Sequence, residues 1–274
     1  MILASHRVGS PDAPHLIVFL HGIYGSGTNL RTLARSVVES FTDFQGLLLD
    51  LRNHGASLPA PEPHTLVACA QDLADTFAAL NLSPTALCGH SFGGKVALTY
   101  AASFADSTGS RLRSVHVLDS PPGPSAAAPT TAQVRHVLSV IEQLPQPAQS
   151  RDAAVSQLEN FGLSPMVARW LATNLTSTPD GLRWRFFVPG LRAMLEDFWV
   201  VDQWPTVFSA PVLIHLVRAE KSLVWTEEDL TKLAQAATRP NVRVDVLPKS
   251  DHWVHIDNPK GLLQLLTAVL RDIL

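Results

Sequence analysis

A mostly parallel α/β sheet flanked by helices and interrupted by an inserted helical cap is the architecture this sequence predicts. Three observations carry it. Short apolar runs of strand length alternate with helix-length segments from Leu16 onward. A proline-rich break, Ser120–Pro129, ends that rhythm, because its prolines suit neither a helix interior nor a central strand. The rhythm then resumes at Pro211 after a long stretch of helical character.

Taken in order, Leu16–Leu20 reads as a buried strand ending at His21-Gly22. Residues 27–39 carry helical spacing at Leu30, Leu33, Ala34 and Val37. Gly46–Asp50 is the next strand, followed by the turn Arg52-Asn53-His54-Gly55. His64–Leu80 is an amphipathic helix whose apolar side carries Leu66, Cys69, Leu73, Phe77 and Leu80. Thr85–Cys88 is a strand, Phe92–Ala102 a helix and Ser114–Asp119 a strand. From Thr131 to Trp204 the chain reads as helical and holds Trp170, Trp184, Trp199 and Trp204. Pro211–Val217 is a strand, a helix starts at Thr226, Val242–Leu247 is the last strand and Pro259–Ile273 the last helix. These expectations place the core at residues 1–120 and 206–274, with the cap at 121–205.

Composition narrows the function classes. The chain has 274 residues, 46% hydrophobic and 16% charged, with a net charge of −3, so nothing in it recruits a polyanion. Nucleic acid is therefore not an expected partner. The longest apolar runs are of strand length, too short for a membrane span. Two cysteines, Cys69 and Cys88, are too few for a disulfide framework. The first residues lack a charged region followed by an apolar stretch, so a cytoplasmic protein is expected. Composition leaves monomer and homodimer equally open.

The chemistry starts at Gly89-His90-Ser91-Phe92-Gly93. A G-x-S-x-G between a strand and a helix describes a nucleophile elbow, in which a strained serine projects its hydroxyl above a sheet. A serine needs a general base, and in this fold's chain order the base follows the last strand. His252 occupies that loop, with His255 three residues on as its competitor. An oxyanion hole needs two backbone N–H donors. Phe92, after the nucleophile, supplies one, and Ile23, in the loop after an early strand, supplies the other, with Tyr24 beside it. That loop, Gly22–Gly27, lacks the Gly-Lys-Ser/Thr ending and the spacing of nucleotide-binding loops. The acid has two candidates. Asp119 ends a core strand, and Glu220 lies in the loop after Pro211–Val217.

Together, His21-Gly22, Asp50-Leu51-Arg52-Asn53-His54-Gly55-Ala56-Ser57, Gly89–Lys95 and His252-Trp253-Val254-His255 give the chain a family likeness. It resembles the α/β-hydrolase esterases grouped with bacterial YbfF and mammalian abhydrolase-domain-containing protein 11, from about Leu16 to the C-terminus. Arg183-Trp184-Arg185-Phe186 resembles that group's cap. The resemblance implies the α/β-hydrolase fold, carboxylester hydrolysis with no metal or organic cofactor, and Asp119 as the acid. The chain departs from the group's Gly-Gly-Asn-Ser-like segment with Arg218-Ala219-Glu220-Lys221-Ser222, which keeps Glu220 as an alternative. Ser250-Asp251 also stands where glycine is usual.

The expected reaction is acyl transfer from a small ester or thioester through Ser91. His21, Tyr24, Trp170, Phe186, Trp199 and Trp253 are the candidate substrate-binding residues. The cap aromatics, Phe187 included, have a second reading as the cap's own core. A lactonase or C–C bond hydrolase would use the same triad, and a ligand receptor would keep the fold with weak turnover. Epoxide hydrolases and dehalogenases of this fold use an aspartate nucleophile, where this elbow has Ser91.

Overall fold

The computed structural model describes residues 1–126 and 128–274. Its first half alternates as expected: β1 (Ser5–Val8), β2 (His15–Leu20), a 3-10 turn over Gly27–Leu30, α1 (Arg31–Ser40), β3 (Phe44–Leu49), α2 (Leu66–Ala79), β4 (Ala86–His90), α3 (Phe92–Phe104) and β5 (Ser114–Leu118). Next come α4 (Pro129–Gln143), α5 (Arg151–Asn160), α6 (Pro165–Ala172), the hairpin β6 (Leu175–Thr178) and β7 (Gly181–Trp184), and α7 (Val188–Val200). The chain closes with α8 (Trp204–Ser209), β8 (Leu213–Ala219), α9 (Glu227–Ala236), β9 (Val242–Leu247), α10 (Val254–Asp257) and α11 (Pro259–Asp272).

Seven strands form one sheet in the order β1-β3-β2-β4-β5-β8-β9. Every neighbouring pair is parallel except β1 and β3, where Ser5 faces Leu49 in an antiparallel ladder. Strand β2 shows why the sheet needs cover on both faces. Leu16, Val18 and Leu20 pack into one apolar cluster with α2, α3 and helices of the β5–β8 segment. Ile17 and Phe19, pointing the other way, pack with α1 and α11. Emptying such a position, as in Phe19→Ala, costs about 3–5 kcal/mol in a core of this kind.

Two elements differ from the sequence expectation. Strand β1 reads as no apolar run, because Ser-His-Arg-Val is a short edge strand with three exposed residues. The stretch expected to be helical contains the β6–β7 hairpin, in register from Leu175↔Trp184 to Thr178↔Gly181. Thr176 and Thr178 favour an extended backbone, and Pro179-Asp180 makes the turn into Gly181, which opens β7 at φ +135°.

One side chain joins the helices between β5 and β8 to the sheet. Lys95, on α3 and fully buried, donates from Nζ to the carbonyls of Gly123 at 2.7 Å, Phe198 at 2.9 Å and Val201 at 2.9 Å. Its ammonium also lies 4.5 Å from the Phe198 ring centroid. Gly123 is on the way out of the core and Phe198–Val201 on the way back. A single cation therefore ties down both connections and caps carbonyls at the C-terminal end of α7.

Candidate active site

Ser91 stands between β4 and α3 with φ 51° and ψ −119°, a conformation that side chains other than glycine adopt at a cost. The neighbours enforce it. A Cβ on Gly89 would overlap the Gly93 carbonyl, and one on Gly93 would overlap the Leu20 carbonyl. Both glycines of the elbow are thus required by backbone-to-backbone approach. The Ser91 N–H donates to the Leu118 carbonyl at 3.0 Å, which locks the elbow to the end of β5.

Three chain-distant residues meet there. His252 Nε2 lies 3.1 Å from Ser91 Oγ, and its Nδ1 lies 2.8 Å from Asp119 Oδ2. With Nδ1–H donating to the carboxylate, Nε2 is left as the acceptor for the serine hydroxyl. All three side chains arise beyond the carboxyl ends of strands β4, β5 and β9, the edge where open parallel sheets place their ligands.

Asp119 is fully buried and has a positive φ of 43°. Its carboxylate is surrounded by donors. Oδ1 accepts from the Ala219 N–H at 3.0 Å and the Trp225 indole N–H at 2.8 Å. Oδ2 accepts from the Ser222 hydroxyl at 2.6 Å as well as from His252. Burial by itself raises the carboxyl pKa, but hydrogen bonds from His252, Ser222 and the Ala219 N–H outweigh it and hold the group below its ordinary value. Glu220 is placed elsewhere: it is exposed and accepts the Lys249 N–H at 2.7 Å.

The Asp50–Ser57 block lies beneath the loop that follows β2. Asp50 accepts the N–H groups of Gly27 at 2.8 Å and Ala56 at 2.9 Å. His54 donates from Nδ1 to the Arg52 carbonyl at 2.8 Å and accepts the Tyr24 N–H on Nε2 at 3.2 Å. Burial, then the neighbouring His21, pushes His54 well below the ordinary imidazole value, so it stays a neutral acceptor. Arg52 pairs with buried Asp72 at 2.7 Å. The loop so held reaches Ser91, since a Cβ on Gly22 would lie 3.4 Å from Ser91 Cβ. Ile23 follows immediately. Phe92, as the first residue of α3, has an N–H with no partner within its own helix.

The candidate substrate-binding residues divide. Trp170 on α6 and Trp253 beside His252 are half-buried and meet edge to face, with centroids 4.5 Å apart. Tyr24 is buried and donates its hydroxyl to the Val134 carbonyl at 3.2 Å. His21 is fully buried with both ring nitrogens engaged, one at 2.7 Å from the Gly22 carbonyl and one accepting the Leu51 N–H at 3.0 Å. Phe186 is buried and stacks on Trp184 at 5.1 Å. Trp199 is buried under the Arg135 guanidinium and borders a cavity of about 350 Å³ with Arg135, His136, Arg192 and Glu196. The structure thus sets Trp170 against Trp253, the neighbour of His252, and gives Phe186 and Trp199 packing partners. Phe187 is exposed and packs edge-on against His64.

Two further histidines flank His252. His90 lies 2.7 Å from the His252 carbonyl through Nε2 and faces both His252 and His255. Burial, reinforced by His252, lowers His255 to about 4, so it is a neutral neighbour, and no hydrogen bond joins it to Ser91 or Asp119 among the described residues. Sequence reasoning missed Trp225 and the roles of Asp50 and His54. A buried tryptophan needs a partner for its N–H, but nothing in the local sequence names Asp119 as that partner. Among the described residues, no cluster of three or more His, Cys, Asp or Glu is arranged to hold a metal ion, and no helix is long and apolar enough to cross a membrane.

Comparison with known proteins gives the family. Residues 17–265 match the alpha/beta hydrolase family. The chain is 30% identical to the esterase YbfF of Escherichia coli K12, covering 93% of this chain and 93% of that protein. It is 29% identical to the mouse sn-1-specific diacylglycerol lipase ABHD11, over 93% of this chain and 80% of that one. Among solved structures, a marine microorganism esterase superposes with a TM-score of 0.83 at 24% identity, over 97% of this chain and 98% of its own. The chain belongs to the alpha/beta hydrolase family and is an esterase- and lipase-like member of it.

Proposed function

We propose that the protein is a serine carboxylester hydrolase that forms an acyl-enzyme on Ser91. The observation that carries this reading is the continuous relay of Ser91 Oγ, His252 and Asp119 at 3.1 and 2.8 Å. His252 Nε2 takes the hydroxyl proton as Oγ attacks the ester carbonyl. The N–H groups of Ile23 and Phe92 receive the developing oxyanion. As the tetrahedral intermediate collapses, the imidazolium gives its proton to the leaving alcohol. A water, deprotonated by the same nitrogen, then attacks the acyl carbonyl and releases the acid and the free serine. Asp119 keeps the imidazole in the Nδ1–H tautomer and balances its positive charge. A thiol can leave in place of the alcohol by the same steps.

Residues 121–205 serve as a cap, and Trp170 with Trp253 form the apolar wall nearest the base. The relatives' names, an esterase and a diacylglycerol lipase, support an ester of apolar acyl chains as the substrate class. Two free, buried cysteines suit a reducing compartment such as the cytoplasm. The test is a rapid-mix assay with p-nitrophenyl esters of increasing chain length. A burst of one p-nitrophenol per chain, followed by steady turnover and abolished by Ser91→Ala, is the expected result. Ligand binding with no turnover by the wild-type protein would sink the reading in favour of a receptor.

A further inference from the structure

The donors around Asp119 come from one short segment. Ala219 ends β8, and Ser222 and Trp225 follow at intervals of three residues before α9 begins. The segment folds around the carboxylate so that main-chain N–H, hydroxyl and indole N–H approach from different sides, at 3.0, 2.6 and 2.8 Å. Together with His252 they occupy two acceptor positions on each carboxylate oxygen. The indole reaches Oδ1, the oxygen that does not face His252. Trp225 is itself buried within the apolar cluster that covers this face of the sheet, so its ring is clamped while its one polar atom points at the acid.

We propose that Trp225 is a positioning residue of the relay: its indole N–H, beside the Ala219 N–H on the same oxygen, restricts the rotation of the Asp119 carboxylate and tempers its basicity toward His252. The proposal rests on the serine hydrolase reading above. A carboxylate free to turn about its Cβ–Cγ bond presents Oδ2 to His252 for only part of the time. The Ala219 N–H and the indole hold Oδ1 from two sides, and the indole narrows the range of rotation that the main-chain donor alone would leave. The indole also withdraws charge from the carboxylate, so the imidazolium is held less strongly than by a bare carboxylate. Without the indole, Asp119 is the more basic partner, His252 retains its proton to a higher pH, and the base form is reached later.

The titratable groups near the base are few. His90 comes from β4 and His255 from α10, both driven neutral by burial, while Asp251 accepts the His252 N–H at 2.7 Å and Asp257 on α10 accepts the Asp251 N–H at 2.8 Å. None of these touches Trp225 in the hydrogen-bond pattern, so a change made at the indole reaches His252 through Asp119.

Trp225→Phe keeps the ring and deletes the donor. The expected result is a kcat lower by roughly tenfold, the size of one charge-assisted hydrogen bond, with KM within about twofold. The acid limb of the kcat/KM profile moves to higher pH by about half a unit. Asp119→Asn is measured beside it. If Asp119→Asn abolishes turnover while Trp225→Phe keeps the wild-type kcat and acid limb, the proposal is overturned and the hydrolase reading stands. If Asp119→Asn keeps full activity, both fall. A second readout does not need the Trp225 variant to act normally. In protein carrying 15N-labelled tryptophan, the Trp225 indole proton moves upfield in Asp119→Asn. An indole proton indifferent to that change overturns the proposal by itself.

Discussion

His54 Nε2 accepts the backbone N–H of Tyr24 at 3.2 Å, which joins the Asp50–Ser57 block to the loop bearing Ile23. The imidazole has no contact with the reacting atoms in this arrangement. It acts on the direction of the Ile23 peptide, one residue away. Replacing His54 with leucine removes the acceptor, leaves the Tyr24 N–H buried without a partner and lets the loop shift. Steady-state kinetics of His54→Leu are expected to show kcat down by about 10- to 100-fold, because small displacements of an oxyanion donor are costly. KM should change little. A rise in KM at unchanged kcat would mean that the loop binds substrate rather than the oxyanion.

Asp119 and Glu220 make opposite predictions. Asp119 is buried with its oxygens engaged by His252, Ser222, Trp225 and Ala219, whereas Glu220 accepts the Lys249 N–H at the surface. Asp119→Asn should lower kcat by a factor on the order of 10⁴ through the wrong imidazole tautomer. Glu220→Gln should stay within about twofold, since a neutral amide can still accept from Lys249. Activity lost in Glu220→Gln and kept in Asp119→Asn would exchange the two roles.

How far the sequence made the site legible depends on where each constraint arises. The elbow is readable because its constraint is local: no Cβ fits at Gly89 or Gly93, and the strand and helix that demand this lie on either side. His252 is readable from its place after the last strand. The acid is different. Asp119 and Glu220 sit in comparable loops, and what separates them is a cradle assembled from Ala219, Ser222 and Trp225, some hundred residues beyond Asp119. Spacing within one loop does not reveal such a partner in advance. The β6–β7 hairpin was hidden for another reason. It lies among helices, and strands of four residues carry too little alternation to show against them. His21 illustrates the converse. Its position before the loop that carries Ile23 suggests a substrate contact, yet both ring nitrogens are used to hold Gly22 and Leu51.

Lys95 gives a stability prediction. Its ammonium is buried against the carbonyls of Gly123, Phe198 and Val201. Lys95→Met fills a similar volume but leaves those carbonyls without their donor. Urea denaturation should show a loss of about 3 kcal/mol, the scale for removing one partner from a buried charged network. An unchanged midpoint would mean that water replaces the ammonium at no cost.

A buried histidine chain sets a pH dependence of stability. On β5 and β8, Ser114 Oγ lies 3.0 Å from His116 Nε2, and His116 Nδ1 lies 3.1 Å from His215 Nδ1. His215 Nε2 in turn lies 3.0 Å from Asp245. Burial drives His116 well below its ordinary value of 6.5, with His215 adding to the effect. Burial also lowers His215, against the opposing pull of Asp245. Both folded pKa values therefore lie below the unfolded ones, and the unfolded chain binds more protons as pH falls through 6.5. Stability should decline from that pH downward, by up to about 1.4 kcal/mol per pH unit for each histidine. Urea midpoints between pH 7 and pH 5 test this, with His116→Gln expected to flatten the slope. An identical slope in the variant would remove His116 from the account.

The central claim is that Ser91 is the nucleophile, and covalent labelling tests it most directly. A fluorophosphonate probe reacts with a serine whose hydroxyl is activated by a base, after which peptide mapping locates the adduct. A single adduct on Ser91 is expected, absent in Ser91→Ala and strongly slowed in His252→Ala. An adduct on any other residue, or full labelling of Ser91→Ala, would contradict it.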